Sequence, residues 1–136
     1  MNQGSQNIAL VQRMFDAFVK RDIERLLGMV DDDIEVRSLM TEAERVHYQR
    51  HDGVREWLAA VFEIFPDWTP QPTDMRDLGG AVVVTMDVTA TAARSGARID
   101  QRFWAAATLA GGKATWFGFF RTEADALAAV DERRAA

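Results

Sequence analysis

The 136-residue chain contains no cysteine. Disulfides, thiolate metal sites and a cysteine nucleophile are thereby excluded. Histidine is almost as scarce, with only His47 and His51 present. Four residues apart, the two would share a face if the segment were helical, but a metal centre needs further converging ligands and no metal motif stands nearby. A phosphate-cradling glycine loop is also missing. The expectation is therefore no metal and no cofactor. No apolar run approaches the ~18 residues of a membrane span. Positive charge is in the minority, with 16 basic against 21 acidic residues and a net charge of −5. Nucleic acid and anionic membranes both require a basic footprint, so neither is an expected partner. Residues 1–6 lack the basic-then-apolar order of a secretory signal, which makes a cytoplasmic location the expectation.

What the chain has in quantity is large aromatics: four Trp and eight Phe against a single Tyr. Such residues dominate both cores and ligand pockets. The length suits one domain spanning residues 1–136, large enough to bury a core.

The stretch 71–121 organises the rest. Gly79-Gly80, Ser95-Gly96 and Gly111-Gly112 break it at even intervals. Between and after the breaks, segments 81–93, 97–109 and 113–121 are rich in Val, Thr, Phe and Trp. β-Branched and aromatic runs joined by glycine pairs predict antiparallel strands and hairpins. Upstream, Ile8, Val11, Met14, Phe15, Phe18 and Val19 recur at helical spacing over 7–21. Asp22 can cap a second helix carrying Ile23, Leu26, Leu27 and Val30, ended by the acidic triplet Asp31–Asp33. Adjacent carboxylates splay apart, so the triplet reads as a solvated turn rather than a cation site. Residues 34–39 alternate as a short strand, whereas 41–50 carries no readable pattern. Asp52 is the expected cap of a third helix with Val54, Trp57, Leu58, Val61, Phe62 and Phe65 on its buried face, stopped by Pro66. Residues 68–72, with two prolines, read as a link into the sheet. Thr122–Asp125 resembles a capping box opening a last helix with Leu127 and Val130. Helices gathered on one side of such a sheet make an α+β domain with a conical space between the layers.

The order of these pieces resembles a known family. The segments 11–14, 31–36, 51–54, 65–67 and 99–103, with Gly112-Lys113 before an aromatic last strand, resemble the nuclear-transport-factor-2-like superfamily. Within it, they resemble the branch of SnoaL-like polyketide cyclases and ketosteroid isomerases. The resemblance implies a cone-shaped, curved antiparallel (mixed) sheet covered on its concave face by N-terminal helices. It also implies an apolar pocket for a hydrophobic small molecule and a homodimer. The superfold hosts enzymes and non-enzymes alike.

Strand parity groups Thr85, Asp87 and Thr89 on one face, opposite Val84, Met86 and Val88. It likewise groups Arg98, Asp100, Arg102 and Trp104 opposite Ile99, Gln101, Phe103 and Ala105. By resemblance, the faces carrying Asp87 and Asp100 line the pocket, and Asp100 matches an acid of the isomerase oxyanion hole. These two are the candidate catalytic residues. The residues alone leave open that Asp100 is simply paired with Arg98 or Arg102, or exposed. Candidate ligand-binding residues are Met14, Phe18, Ser38, Tyr48, Trp57, Arg102, Trp104, Phe117 and Phe119. Proton transfer needs a base and a strong donor for the developing oxyanion, and here the pattern departs from the family. Ser38 stands where the isomerase has its base, and Met14 where it has its donor Tyr. Asp87 matches one carboxylate of limonene-epoxide hydrolases, but Thr85 replaces the Arg two residues before it. No Asp, Glu or His occurs between Gln101 and Thr122. Two functions therefore remain: acid–base chemistry of isomerase, cyclase or hydrolase type on a hydrophobic substrate, or a non-catalytic ligand-binding or dimerisation module.

Overall fold

The structure, a computed structural model, describes residues 3–38 and 47–135. In chain order the elements are α1 (Gln3–Lys20), α2 (Ile23–Leu27), β1 (Val30–Arg37), β2 (His47–Gln49), α3 (Arg50–Ile64), β3 (Thr69–Asp77), β4 (Ala81–Thr91), β5 (Arg98–Ala110), β6 (Lys113–Phe120) and α4 (Glu123–Ala135). The strands form one curved, unclosed mixed sheet in the order β2-β1-β6-β5-β4-β3. All neighbours are antiparallel except β1 and β6, which run parallel.

The glycine breaks become the hairpins. Gly111 and Gly112 have φ of 59° and 77°, the left-handed pair that a two-residue turn between right-twisted strands demands. Asp22 caps α2 as expected, accepting from the Arg25 backbone N–H at 3.2 Å. Thr122 Oγ1 accepts from the Asp125 N–H at 3.1 Å and opens α4.

Three local expectations are corrected. The acidic triplet does not end α2 by itself, because β1 already starts at Val30. Between Val30↔Ala114 and Glu35↔Trp116 the β1 side carries extra residues, so Asp31–Asp33 bulge from the ladder towards water. α3 begins at Arg50 with Gln49 at its cap position, and Asp52 sits in its first turn, where a carboxylate favours the helix dipole. Residues 69–72 are not a link but the start of β3. Pro70 and Pro72 share parity, so both missing N–H groups face away from β4, which an edge strand tolerates. Residues 39–46, including Leu39 of the expected first strand and most of the unreadable 41–50, lie outside the described residues.

The helices do not all gather on one side. α1 lies against β3 and β4, and α3 against β1 and β2, while α4 packs mainly on β5. Two apolar clusters result. The larger holds Met14, Phe18, Leu26, Trp57, Val61, Val84, Met86, Ala105, Phe117 and Phe119 between α1–α3 and the sheet. The smaller, on the outer face, holds Ala81, Val83, Ala106, Trp116, Phe120 and, from α4, Ala126 and Val130. Alternate residues of β4, β5 and β6 thus serve opposite faces.

Candidate functional site: a filled cone and an outer charged face

The space between the helices and the sheet is occupied by rings. Phe18 meets Trp57 at 5.6 Å and Phe117 at 5.5 Å between centroids, both edge-on. Phe119 closes the set at 5.0 Å from Phe117 and 5.4 Å from Trp57. Trp68, which the sequence pattern alone places in a link into the sheet, joins at 6.1 Å from both Trp57 and Phe119. Nothing local marks it: an isolated Trp ahead of Thr-Pro has no periodicity to place it. Among the described residues, one void left there, lined by Met14, Phe18, Ile34, Val36, Trp57 and Phe117 among others, measures about 10 Å³. That is space for one water at most, against roughly 300–1,000 Å³ for a small-molecule pocket.

Met14, Phe18, Trp57, Phe117 and Phe119 are therefore brought together as core. Tyr48 is buried on the same face, aligned across the sheet with Val36, which also pairs with Phe117. Ser38 is buried at the end of β1, and its hydroxyl accepts from Trp57 Nε1 at 3.1 Å. This is a satisfied polar pair in apolar surroundings.

The face expectation for the acids is corrected. Asp87 and Asp100 stand in register with Arg102 and Thr89, respectively, on the face opposite the ring cluster. Asp87 Oδ1 accepts from Arg102 Nε at 3.1 Å, with the two side chains 46% and 56% exposed. Asp100 is exposed. Trp104 shares this face and packs against the α4 cluster. Met86 and Val88, neighbours of Asp87, point into the core instead. The physical reason is the two-residue period: a shift of one residue in the match to relatives sends every side chain to the other side.

The histidines sit apart from one another in structure type, His47 in β2 and His51 in α3. His47 Nδ1 lies 3.3 Å from Glu35 Oε1. His51 Nε2 lies 3.3 Å from the Val30 carbonyl oxygen and 3.6 Å from Asp32 Oδ1. Among the described residues no group of three or more His, Asp or Glu could hold a metal ion. No helix among them is long and apolar enough to cross a membrane.

Two carboxylates do depart from ordinary behaviour, both at the surface. Asp67 is held below the usual carboxylate range, chiefly by the Thr91 backbone N–H at 2.6 Å. Asp16 is lowered first by its bond from Arg25 at 2.6 Å and then by Lys20. Neither lies in the cone.

A family model described as a SnoaL-like domain matches residues 11–117, well over half of the chain. The chain belongs to the SnoaL-like domain family. Solved structures agree on the fold. An NTF2-like protein of unknown function from Burkholderia pseudomallei is 20% identical, with a TM-score of 0.78, 88% of this chain and 93% of that one being covered. A candidate SnoaL-like polyketide cyclase from Jannaschia is 19% identical, with a TM-score of 0.78 and coverage of 94% and 92%. TerC, crystallised with polyporic acid, is 23% identical, with a TM-score of 0.77 and coverage of 93% and 96%. At these identities the likeness establishes the fold alone. No curated protein matches the sequence. Membership accounts for the curved sheet and its covering helices. The filled interior is a property of this member's own side chains.

Proposed function

We propose that this SnoaL-like chain is a non-catalytic binding module, taking a small apolar molecule and pairing with a second copy of itself. The observation that carries the non-catalytic part of this reading is the cone: rings fill it, and both candidate acids stand outside. Acid–base catalysis needs a charged or titratable group against the reacting atom in a water-poor site. Asp87 and Asp100 have no such position. The crystallisation of TerC with polyporic acid supports small, ring-containing molecules as the ligand class.

For the second copy, the surface offered is the part of the outer face that α4 leaves bare. It presents Asp87, Asp100, Arg98 and Arg102, with threonines between. Mixed charges on one strand face can match themselves across a two-fold axis.

Acid–base chemistry is the second reading, favoured only by Ser38 and Tyr48, the buried polar side chains at the β1–β2 end of the core. One NMR series distinguishes the two. The protein is mixed in D₂O with a cyclic β,γ-unsaturated ketone, and line width and α-proton signal are followed together. Broadening without accelerated exchange is expected. Exchange above buffer that disappears in Asp100→Asn or Ser38→Ala overturns the module reading.

A further inference from the structure

Open space flanks α1 on both sides. Toward β3 lies a groove of about 710 Å³, lined on the helix by Ile8, Gln12, Phe15, Asp16 and Val19. Asp16 is already held by Arg25 and Lys20, and Asp74 stands in register with Thr85 on the outer face, so no free charge marks that groove. On the other side, between α1 and the β5–β6 hairpin, lies a pocket of about 600 Å³, within the size range of small-molecule sites. Gln3, Gln6, Leu10 and Arg13, at three- and four-residue spacing, form its helical wall, and Leu109 to Gly112 with Gly80 form the other.

Two side chains with free donors border this pocket. Arg13 is the one charged residue that lines it. Its guanidinium forms no ion pair among the described residues, and Asp16, the next acid along α1, is taken by Arg25 and Lys20. Asn7 also lines the pocket and is only 4% exposed. It accepts from Gln3 Nε2 at 3.0 Å and gives one Nδ2–H to Asp77 Oδ1 at 3.2 Å. Asp77 is fully engaged there, its Oδ2 accepting from the Gly79 N–H at 3.2 Å. A carboxamide has two N–H groups, and the second one of Asn7 has no acceptor among the described residues. A buried donor left without an acceptor is destabilising, and a ligand oxygen would relieve it.

We infer that this pocket binds a flat monocarboxylate carrying a second oxygen acceptor. The carboxylate meets Arg13, the second oxygen meets Asn7, and the apolar body lies along Leu10 and Leu109. The inference gives the ligand of the binding reading above a place and a charge, and it rests on that reading. Arg13 sets the sign: its planar fork matches a carboxylate with two parallel bonds. With one cation and no acid on the walls, a single negative charge is attracted and a cation repelled. The six positions from Asn7 to Arg13 set the length, about 9 Å along the helix axis. A two-ring skeleton with oxygens at both ends matches that span.

The test is methyl-resolved NMR of the full chain at low salt with three probes. They are 6-hydroxy-2-naphthoate, its neutral counterpart 6-hydroxy-2-naphthamide, and 2-naphthoate, which lacks the second oxygen. Saturable shifts are expected at the Leu10, Leu109 and Ala110 methyls. The hydroxynaphthoate should bind about fivefold tighter than the carboxamide, the scale of one exposed ion pair, and tighter than 2-naphthoate. Arg13→Gln should erase the preference for the carboxylate, and Ala110→Trp should block all three probes; both positions are exposed, so both variants should keep the wild-type fold. Shifts centred on Ile8 and Val19, or on the Met14 methyl, would overturn the pocket while leaving the binding module intact. A carboxamide bound as tightly as the acid would overturn the role of Arg13, and equal binding of 2-naphthoate that of Asn7. If no probe shifts the pocket methyls while the ketone of the preceding test still broadens, the pocket alone falls. If that broadening is absent too, the binding reading falls with it.

Discussion

At the scale of single residues, the polar groups that matter are few and each has an assignable consequence. Ser38 is the acceptor for the buried Trp57 indole. Ser38→Ala strands that N–H in an apolar core and should cost about 1–3 kcal/mol, read from urea unfolding. Phe117→Ala should cost about 3–5 kcal/mol and open a cavity among the rings able to take benzene, seen as a rise in melting temperature with the ligand. A loss below about 1 kcal/mol would mean that the cone is loosely packed and the filled-pocket reading wrong. Asp67 supplies a pH effect. Its carboxyl titrates lower in the folded protein than a free aspartate carboxyl does, because the Thr91 N–H favours the charged form. Across the window between the two values the unfolded chain binds more protons. The stabilisation is thus present above the unfolded value and disappears as pH falls through the folded one. Asp67→Asn should flatten the acid limb of the stability curve below about pH 4, measured as urea midpoints. An unchanged limb would remove Asp67 from the account.

At the scale of elements, β6 and α4 depend on a glycine that the hairpin logic does not explain. A Cβ at Gly118 would lie 2.8 and 2.9 Å from Trp116 ring atoms and 3.0 Å from Phe120. The two rings close over that bare backbone, and Arg133 of α4 lies 5.3 Å above the Trp116 ring. Arg134 of the same helix donates to the carbonyl oxygens of Leu78 and Gly79 in the β3–β4 turn. Gly118→Ala should therefore destabilise by about 1–3 kcal/mol through overpacking. Loss of Trp116 near-ultraviolet dichroism should accompany it as α4 shifts. The elements themselves were largely readable: hairpin glycines, the α1 stripe and the Asp22 and Thr122 caps all act where the pattern placed them. The readings that failed involve partners far away in sequence. Pro70 and Pro72 look like a break until the strand proves to be an edge, and Asp31–Asp33 look like a turn until β6 proves to be the neighbour of β1.

At the scale of the whole molecule, one sheet carries two different surfaces. The helix-covered face is dry and ring-filled, and the outer face is part apolar under α4, part charged and bare. Pairing of two copies through the bare part predicts a light-scattering mass twice that of the chain. Arg98→Glu, at an exposed position whose side chain reaches Thr91 Oγ1 at 3.5 Å and adds a minor charge interaction with Asp67, should shift the protein to monomer without loss of fold. A monomeric wild type would remove the dimer from the proposal.

The sequence by itself determined the α+β order, the antiparallel hairpins and the parity of every residue along β4 and β5, because these depend on short-range periodicity and turn chemistry. It also determined that no cysteine and little histidine could enter a site. It did not determine which parity faces the helices. That choice belongs to the packing of α1 and α3 against the sheet, and it sends Met86 inward and Asp87 outward. Nor could it tell a ring-lined pocket from a ring-filled core, since both call for Phe18, Trp57, Phe117 and Phe119. Only the tertiary packing, with Trp68 arriving from the far side of α3, closes the space down to about 10 Å³ and leaves the open groove beside β3.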